Sequence, residues 1–380
     1  MMKIAYVAPY DPRSVTSWGG GCSYFMSQEF QQQGDEIEFI GPLEERFKRV
    51  FGLKWRYYKY FEKKEYLLHR VPFITQQMAM DAAKKLAATQ AEVIVGPLTL
   101  PFAYLNCRQP IVFWTDATFT GLLDFYFKNT CQESIRNGHL IDQLALDRCS
   151  LAIYTSDWAA RSAIKDYGTD PNKVKVVPYG ANLSQSYAME DVKTFIDSRP
   201  THTCKLLFLG TDWVRKGGEV AYKVAEALNE AGLKTELTIA GCTPPMNERL
   251  PDFIKSIGYI DKSTEEGVQK LKKLIIESHF LILPSLADCT PNVFCEANSF
   301  GVPCLSTRVG GISTTIRSGA NGQLFDLDAP ISEYCTYIFD LFSDYTKYKT
   351  LALSSFHEYE SRLNWVSAVK QVKQFMKELL

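Results

Sequence analysis

Two carboxylates, Asp288 and Glu296, stand eight positions apart in the stretch from Pro284 to Ala297. Between them lies Thr290-Pro291, which reads as a helix start with a hydroxyl cap and proline at the first helical position. The apolar run Phe280-Leu281-Ile282-Leu283 just upstream reads as a buried parallel strand. A strand feeding a helix leaves backbone N–H groups pointing outward, and such a terminus attracts anions. Asp288 then sits on the loop before the helix and Glu296 about one and a half turns inside it, so one acid flanks each side of a bound phosphate ester. This chemistry suits an activated sugar, with a diphosphate on the amides and carboxylates accepting hydrogen bonds from hydroxyls. The plainer readings are a second capping residue for Asp288 and a surface helical glutamate for Glu296.

A second group of residues carries the opposite charge. After an apolar strand at Lys205 to Leu209 come Gly210-Thr211-Asp212-Trp213-Val214-Arg215-Lys216-Gly217-Gly218. Gly210 at the strand exit and the pair Gly217-Gly218 leave room for a ligand near the backbone, while Arg215 offers a planar fork and Lys216 a point charge. Together these cations could neutralise a diphosphate leaving group; a solvated basic turn is the alternative. Nearer the N-terminus, Ser17-Trp18-Gly19-Gly20-Gly21-Cys22-Ser23 is rich in glycine but lacks the spacing of a dinucleotide fingerprint.

The order of acid, Pro291, Glu296-Ala297, Gly301-Val302-Pro303 and Val309-Gly310-Gly311 resembles the signature of family 4 retaining glycosyltransferases of the GT-B fold. The first acid of that signature is usually Glu where this chain has Asp288, and Cys289 stands where a glycine often follows. The resemblance implies an α/β chain of two Rossmann-like parallel-sheet domains facing each other across a cleft. It implies that Asp288 holds hydroxyls of the transferred sugar. It likewise implies that the segment Thr290-Pro291-Asn292-Val293 meets the phosphates, through the amides of Asn292 and Val293. The backbone around Tyr259 and Ile260 reads the base, and Glu296 takes the ribose hydroxyls. For Tyr259, packing at a strand end is the rival reading. Gly20 and Gly21 are expected to approach the donor phosphate and the acceptor. Many members place a histidine after the strand Ile111 to Trp114; here Asp116 stands in that region, as a polar group beside the anomeric carbon or as the N-cap of the next helix. The implied reaction is retaining transfer without metal or cofactor, in which the departing phosphate takes the acceptor's proton.

The elements that must position these residues alternate from end to end, short apolar strands with longer helical patterns, which argues for parallel sheets covered on both faces. Strands are expected from Lys3, Glu36, Val93, Ile111, Leu151 and Val174 in the first half, and from Lys205, Glu236, Phe280 and Pro303 in the second. A last helix is expected from Trp365 to Leu380. By the resemblance this segment returns to the first domain, giving an acceptor-binding domain at 1–183 completed by 358–380 and a donor-binding domain at 184–357.

A chain of 380 residues, 46% hydrophobic and 22% charged, suits two ordinary globular domains. A net charge of −1 gives no reason to expect nucleic-acid binding. No apolar run approaches the ~20 residues of a membrane span, and the opening Met1-Met2-Lys3-Ile4-Ala5-Tyr6-Val7-Ala8-Pro9 is too short in its apolar part for a signal peptide. The ten cysteines have no zinc or Cys-x-x-Cys spacing, as for reduced thiols in cytoplasmic cores. One segment departs from this evenness: Arg46 to Arg70 holds nine Lys/Arg, the acids Glu62 and Glu65 only, and eight aromatic residues. Phe47, Phe51, Trp55 and Tyr58 follow helical spacing, so this face is expected either to enter an anionic membrane surface, at the inner face of the membrane, or to pack on the core.

The function expected is transfer of a sugar from a nucleotide-diphosphate donor, UDP-sugar before GDP-mannose, to a hydroxyl of a glycan or glycolipid, as in cell-surface polysaccharide or glycolipid synthesis. The rivals are a sugar-nucleotide epimerase of the same fold and a non-catalytic two-lobed sugar-binding protein.

Overall fold

The structure is a computed structural model that describes residues 1–16, 21–45, 48–183, 187–245 and 250–380. It divides into two compact units, Met1–Pro178 with Ala368–Leu380, and Tyr179–Ser367. The second unit begins earlier than expected and ends later. Ala181 N–H donates to Leu363 O at 3.2 Å, and Tyr179 packs its ring on Trp365 with centroids 5.4 Å apart. The helix Tyr345–Arg362 also stays whole in this unit, because Tyr348, Leu351, Ala352 and Phe356 are buried in its core. The return to the first unit therefore falls at Ala368, ten residues after the expected 358.

In the first unit the strands are β1 (Lys3–Val7), β2 (Glu36–Ile40), β3 (Val93–Gly96), β4 (Ile111–Thr115), β5 (Leu151–Tyr154) and β6 (Val174–Val176). They form one parallel sheet in the order β2-β1-β3-β4-β5-β6. Strands β3, β4 and β5 are buried at every position, as strands covered by helices on both faces must be. The helix Trp365–Lys377 closes this unit by burying Val369, Val372 and Met376. Its Lys373 Nζ lies 2.7 Å from Asp35 Oδ2, whose other oxygen accepts from Met2 N–H at 3.0 Å.

The second unit contains β7 (Cys204–Leu209), β8 (Thr235–Ala240), β9 (Ile254–Gly258), β10 (Phe280–Leu283), β11 (Cys304–Thr307) and β12 (Gly322–Phe325), in the order β12-β11-β10-β7-β8-β9, again all parallel. Two of these strands, β9 and β12, are absent from the sequence expectation. Both lie at sheet edges: Lys255 and Ser256 of β9 are exposed and β12 opens on Gly322, so neither presents a continuous apolar run. From β7 the chain builds outward through β8 to β9, then crosses to β10 on the other side of β7. That reversal makes the carboxyl ends of β7 and β10 the switch point of the sheet, where ligands of open parallel sheets bind.

Candidate functional site

The loops leaving the two strands at this switch point are tied together. Leu286 N–H, after β10, donates to Arg215 O, after β7, at 2.7 Å, and Gly311 N–H, after β11, donates to Asp288 O at 3.2 Å. Gly217 has a left-handed φ of +77°, and a Cβ there would overlap the carbonyl of Pro284. A Cβ on Gly218 would strike the Trp213 ring, and one on Gly210 would crowd Lys216 Cγ at 3.1 Å. The sequence reading assigns these glycines to ligand access; in the structure the space they leave is filled by the protein's own loops. They let the loop after β7 lie against the loop after β10.

This close approach joins the expected cations to the first expected acid. The Lys216 ammonium pairs with Asp288 Oδ2. The guanidinium of Arg215 lies 3.6 Å from the same oxygen and donates to Ala287 O at 3.0 Å. Arg215 is also drawn toward Asp212, whose Oδ1 accepts the Arg215 N–H at 3.0 Å. Asp288 is buried, so its charge is met by two cations at close range, which the low polarity of the interior makes strong.

Glu296 is not the surface residue of its plainer reading, for it is 1% exposed. It projects from the helix Asn292–Asn298, and both carboxylate oxygens face Lys262 Nζ, at 2.8 and 2.7 Å. Lys262 escapes sequence reasoning altogether. It follows the edge strand β9 on a loop turned by Asp261, which accepts from Ser263 N–H and Oγ–H at 2.9 and 2.7 Å. No spacing relative to Glu296 announces the contact, which is made only by the fold. Tyr259 on the same loop is 74% exposed, against its rival reading as a tyrosine packed at a strand end, while Ile260 is buried.

The helix begins one residue later than the expected Thr290 cap with Pro291 inside it. Pro291 is the cap residue and accepts Phe294 N–H at 3.2 Å, while Thr290 is buried and donates its hydroxyl to Cys289 O at 2.7 Å. Proline cannot donate its nitrogen, so it serves the boundary as well as the first turn. Asn292 and Val293 open the helix half-buried, and Asn292 Nδ2 donates to Gly180 O at 3.4 Å.

In the first unit, Gly20 lies outside the described residues. Gly21 takes a left-handed φ of +91° at the cap of the helix Cys22–Gln32, a conformation that favours glycine. Asp116 follows β4 half-buried but does not cap the next helix: Thr118 does, its Oγ1 accepting Gly121 N–H at 3.2 Å. Burial, helped by the nearby Cys22 and Asp116, holds the phenol proton of Tyr10, which follows β1.

The basic, aromatic segment has two faces. Phe51, Trp55 and Tyr58 pack against the core of the first unit, so the face expected at a membrane is turned inward; Phe47 lies outside the described residues. On the helix Lys48–Tyr57 and the turn Tyr58–Glu62 the opposite edge leaves Val50, Leu53, Tyr57, Tyr60 and Phe61 exposed, Phe61 to 80%. Among the described residues, no helix is long and apolar enough to cross a membrane.

Known proteins resemble this chain in sequence pattern and in fold. Residues 203–344 match the family model described as Glycosyl transferases group 1. A D-inositol 3-phosphate glycosyltransferase of Paenarthrobacter aurescens is 26% identical over 212 residues, covering 53% of this chain and 51% of that protein. The chain spans about half the length of the curated relatives it matches. Sucrose-phosphate synthase from Thermosynechococcus elongatus superposes with a TM-score of 0.68 at 14% identity, covering 100% of this chain and 99% of that one. Anabaena HepE in complex with UDP-glucose gives 0.63 at 14% identity, with 100% of both chains covered. Residues 203–344 thus carry the pattern of the group 1 glycosyl transferases, in a chain that resembles family 4 glycosyltransferases and has their GT-B fold.

Proposed function

We propose that the chain is a retaining, metal-independent glycosyltransferase that takes a sugar from a nucleotide diphosphate and delivers it to a hydroxyl of a glycan or glycolipid. The observation that carries this reading is the meeting of Arg215 and Lys216 with Asp288 at the switch point between β7 and β10. In the structure these charges satisfy one another. A sugar diphosphate replaces that arrangement with a matched one, in which its phosphates take the cations and the start of the helix Asn292–Asn298, and its sugar hydroxyls donate to Asp288. Glu296 receives the ribose hydroxyls, and Tyr259 with Ile260 borders the base. UDP is favoured over GDP as the nucleotide because a neighbour of the same fold was solved with UDP-glucose.

In the reaction the bond between the anomeric carbon and the β-phosphate oxygen breaks, and a bond from that carbon to the acceptor oxygen forms on the same face. The acceptor's proton passes to the departing phosphate. The chain's own part is to hold the partners in line and to balance the charge that gathers on the leaving group. Asp116 orients the acceptor hydroxyl, and the loop of Gly20 and Gly21 is assigned the approach to the donor phosphate and the acceptor.

The exposed strip of Val50, Leu53, Tyr57 and Phe61 favours an acceptor carried by lipid. Helical spacing puts these residues in one row, with Arg49 and Arg56 along one border and Lys54 along the other, the arrangement of a helix lying in an anionic membrane surface. Vesicles rich in phosphatidylglycerol should bring the protein down on sedimentation and phosphatidylcholine vesicles should not. Leu53→Glu with Phe61→Glu should abolish the effect, and equal sedimentation of this variant would remove the lipid surface from the reading.

The test of the activity is a thermal-shift screen of nucleoside diphosphates and their sugars, followed by NMR of the stabilising donor with and without acceptor. Stabilisation by UDP or GDP and donor consumption that requires an acceptor are expected. Donor conversion without acceptor would point to an epimerase, and stabilisation by free sugars alone to a binding protein.

A further inference from the structure

We propose that Lys262 is a specificity-determining residue of the donor site, whose ammonium is the occupant that the ribose diol must replace on Glu296. The proposal rests on the donor reading above and adds a residue and an energetic consequence to it. Glu296 is 1% exposed, and a carboxylate so enclosed is costly unless a donor sits on it. In the structure that donor is the Lys262 ammonium, which bridges both oxygens at 2.8 and 2.7 Å. The two partners differ in freedom. Glu296 is fixed inside the helix Asn292–Asn298, whereas the Lys262 side chain is 39% exposed on the loop after β9 and can turn its charge into water.

A cis-diol brings two O–H donors and so can satisfy the same two oxygens. Ribose binding at this point is therefore an exchange of ammonium for diol, and its net strength is the difference between the two. A nucleotide without the hydroxyls leaves Lys262 in place and binds through phosphate and base alone. Lys262 thus sets how strongly the site distinguishes a ribose from a sugar that lacks the diol.

Calorimetric titration of the wild-type chain and Lys262→Met with UDP and with 2′,3′-dideoxyuridine diphosphate tests this. Removing the competing charge should lower the Kd for UDP about tenfold and leave the dideoxy ligand nearly unchanged. Weaker UDP binding in Lys262→Met would show that the ammonium contacts the nucleotide, and an equal shift for both ligands would show that it acts without reference to the ribose; either result overturns the proposal. Should the methionine variant fail to fold around an unpaired Glu296, Lys262→Gln keeps a donor without the charge and should tighten UDP selectively to a smaller degree. Failure of the wild-type chain to bind any nucleoside diphosphate would instead defeat the donor reading itself.

Discussion

Lys216, on the loop after β7, lays its ammonium on the carboxylate of Asp288, on the loop after β10, across 72 positions of sequence. The pair closes a buried contact between loops, and under the proposed function the same charges also serve the leaving group and the sugar. Lys216→Met should cost about 3 kcal/mol of stability, because it leaves Asp288 buried with only the more distant Arg215. Adding Asp288→Leu should restore most of that stability, as apolar replacement of buried pairs often does, but no activity. Chemical denaturation beside a transfer assay separates the two duties. Recovery of activity in the double variant would show that the pair is structural only.

His279, buried immediately before β10, is expected to make the second unit sensitive to acid. Its Nδ1 accepts Lys205 N–H at 3.0 Å and its Nε2 lies 3.1 Å from Pro200 O, which fixes a neutral ring with the proton on Nε2. Burial, with the positive charge of Arg199 adding to it, lowers its pKa to about 3. The unfolded chain binds this proton near pH 6.5 and the folded one does not, so stability is full above pH 6.5 and declines as pH falls toward 3. The loss between pH 6 and pH 4.5 should be about 2 kcal/mol, measured by urea unfolding, and His279→Gln should flatten that slope. An unchanged slope in the variant would place the sensitivity elsewhere.

Gly217→Ala separates two explanations for the glycines after β7. With φ at +77° and the Pro284 carbonyl in the way, alanine should lower stability by about 2 kcal/mol or more before any ligand is added. Normal stability with selective loss of donor affinity would support the ligand-access reading instead.

Thr118 takes the cap that sequence alone offers to Asp116, which leaves Asp116 with its proposed role beside the acceptor hydroxyl. Thr118→Ala should cost about 1 kcal/mol through the lost cap, with transfer largely kept. Asp116→Asn should keep stability and reduce kcat, as expected of a group that orients the acceptor hydroxyl. An active Asp116→Asn enzyme would remove the residue from the reaction.

The parallel sheets were legible because their inner strands are continuous apolar runs: Phe280 to Leu283 appears in the structure with the expected bounds, and Ile111 to Trp114 gains only Thr115. The edge strands β9 and β12 were not, since a strand with one open side does not need such a run. In the site, Asp288 and Glu296 were legible as a pair of acids beside a helix start. Their partners were less so. The Lys216–Asp288 contact depends on β7 and β10 being neighbours, which follows from the crossover and from no local spacing. Lys262 is invisible for the same reason, a lysine among many until the loop after β9 is set beside Glu296. Helical spacing correctly grouped Phe51, Trp55 and Tyr58, but periodicity does not say which face meets the core.

Under the proposed function a nucleoside diphosphate binds the second unit with its ribose on Glu296. Titration of UDP and GDP into the wild-type chain and Glu296→Ala, followed by calorimetry, tests it most directly. Saturable binding of one nucleotide to the wild-type chain is expected, with a loss of about a hundredfold in the variant, the scale of two charge-assisted hydrogen bonds. Equal affinity in both proteins, or no binding of either nucleotide to the wild-type chain, would contradict it.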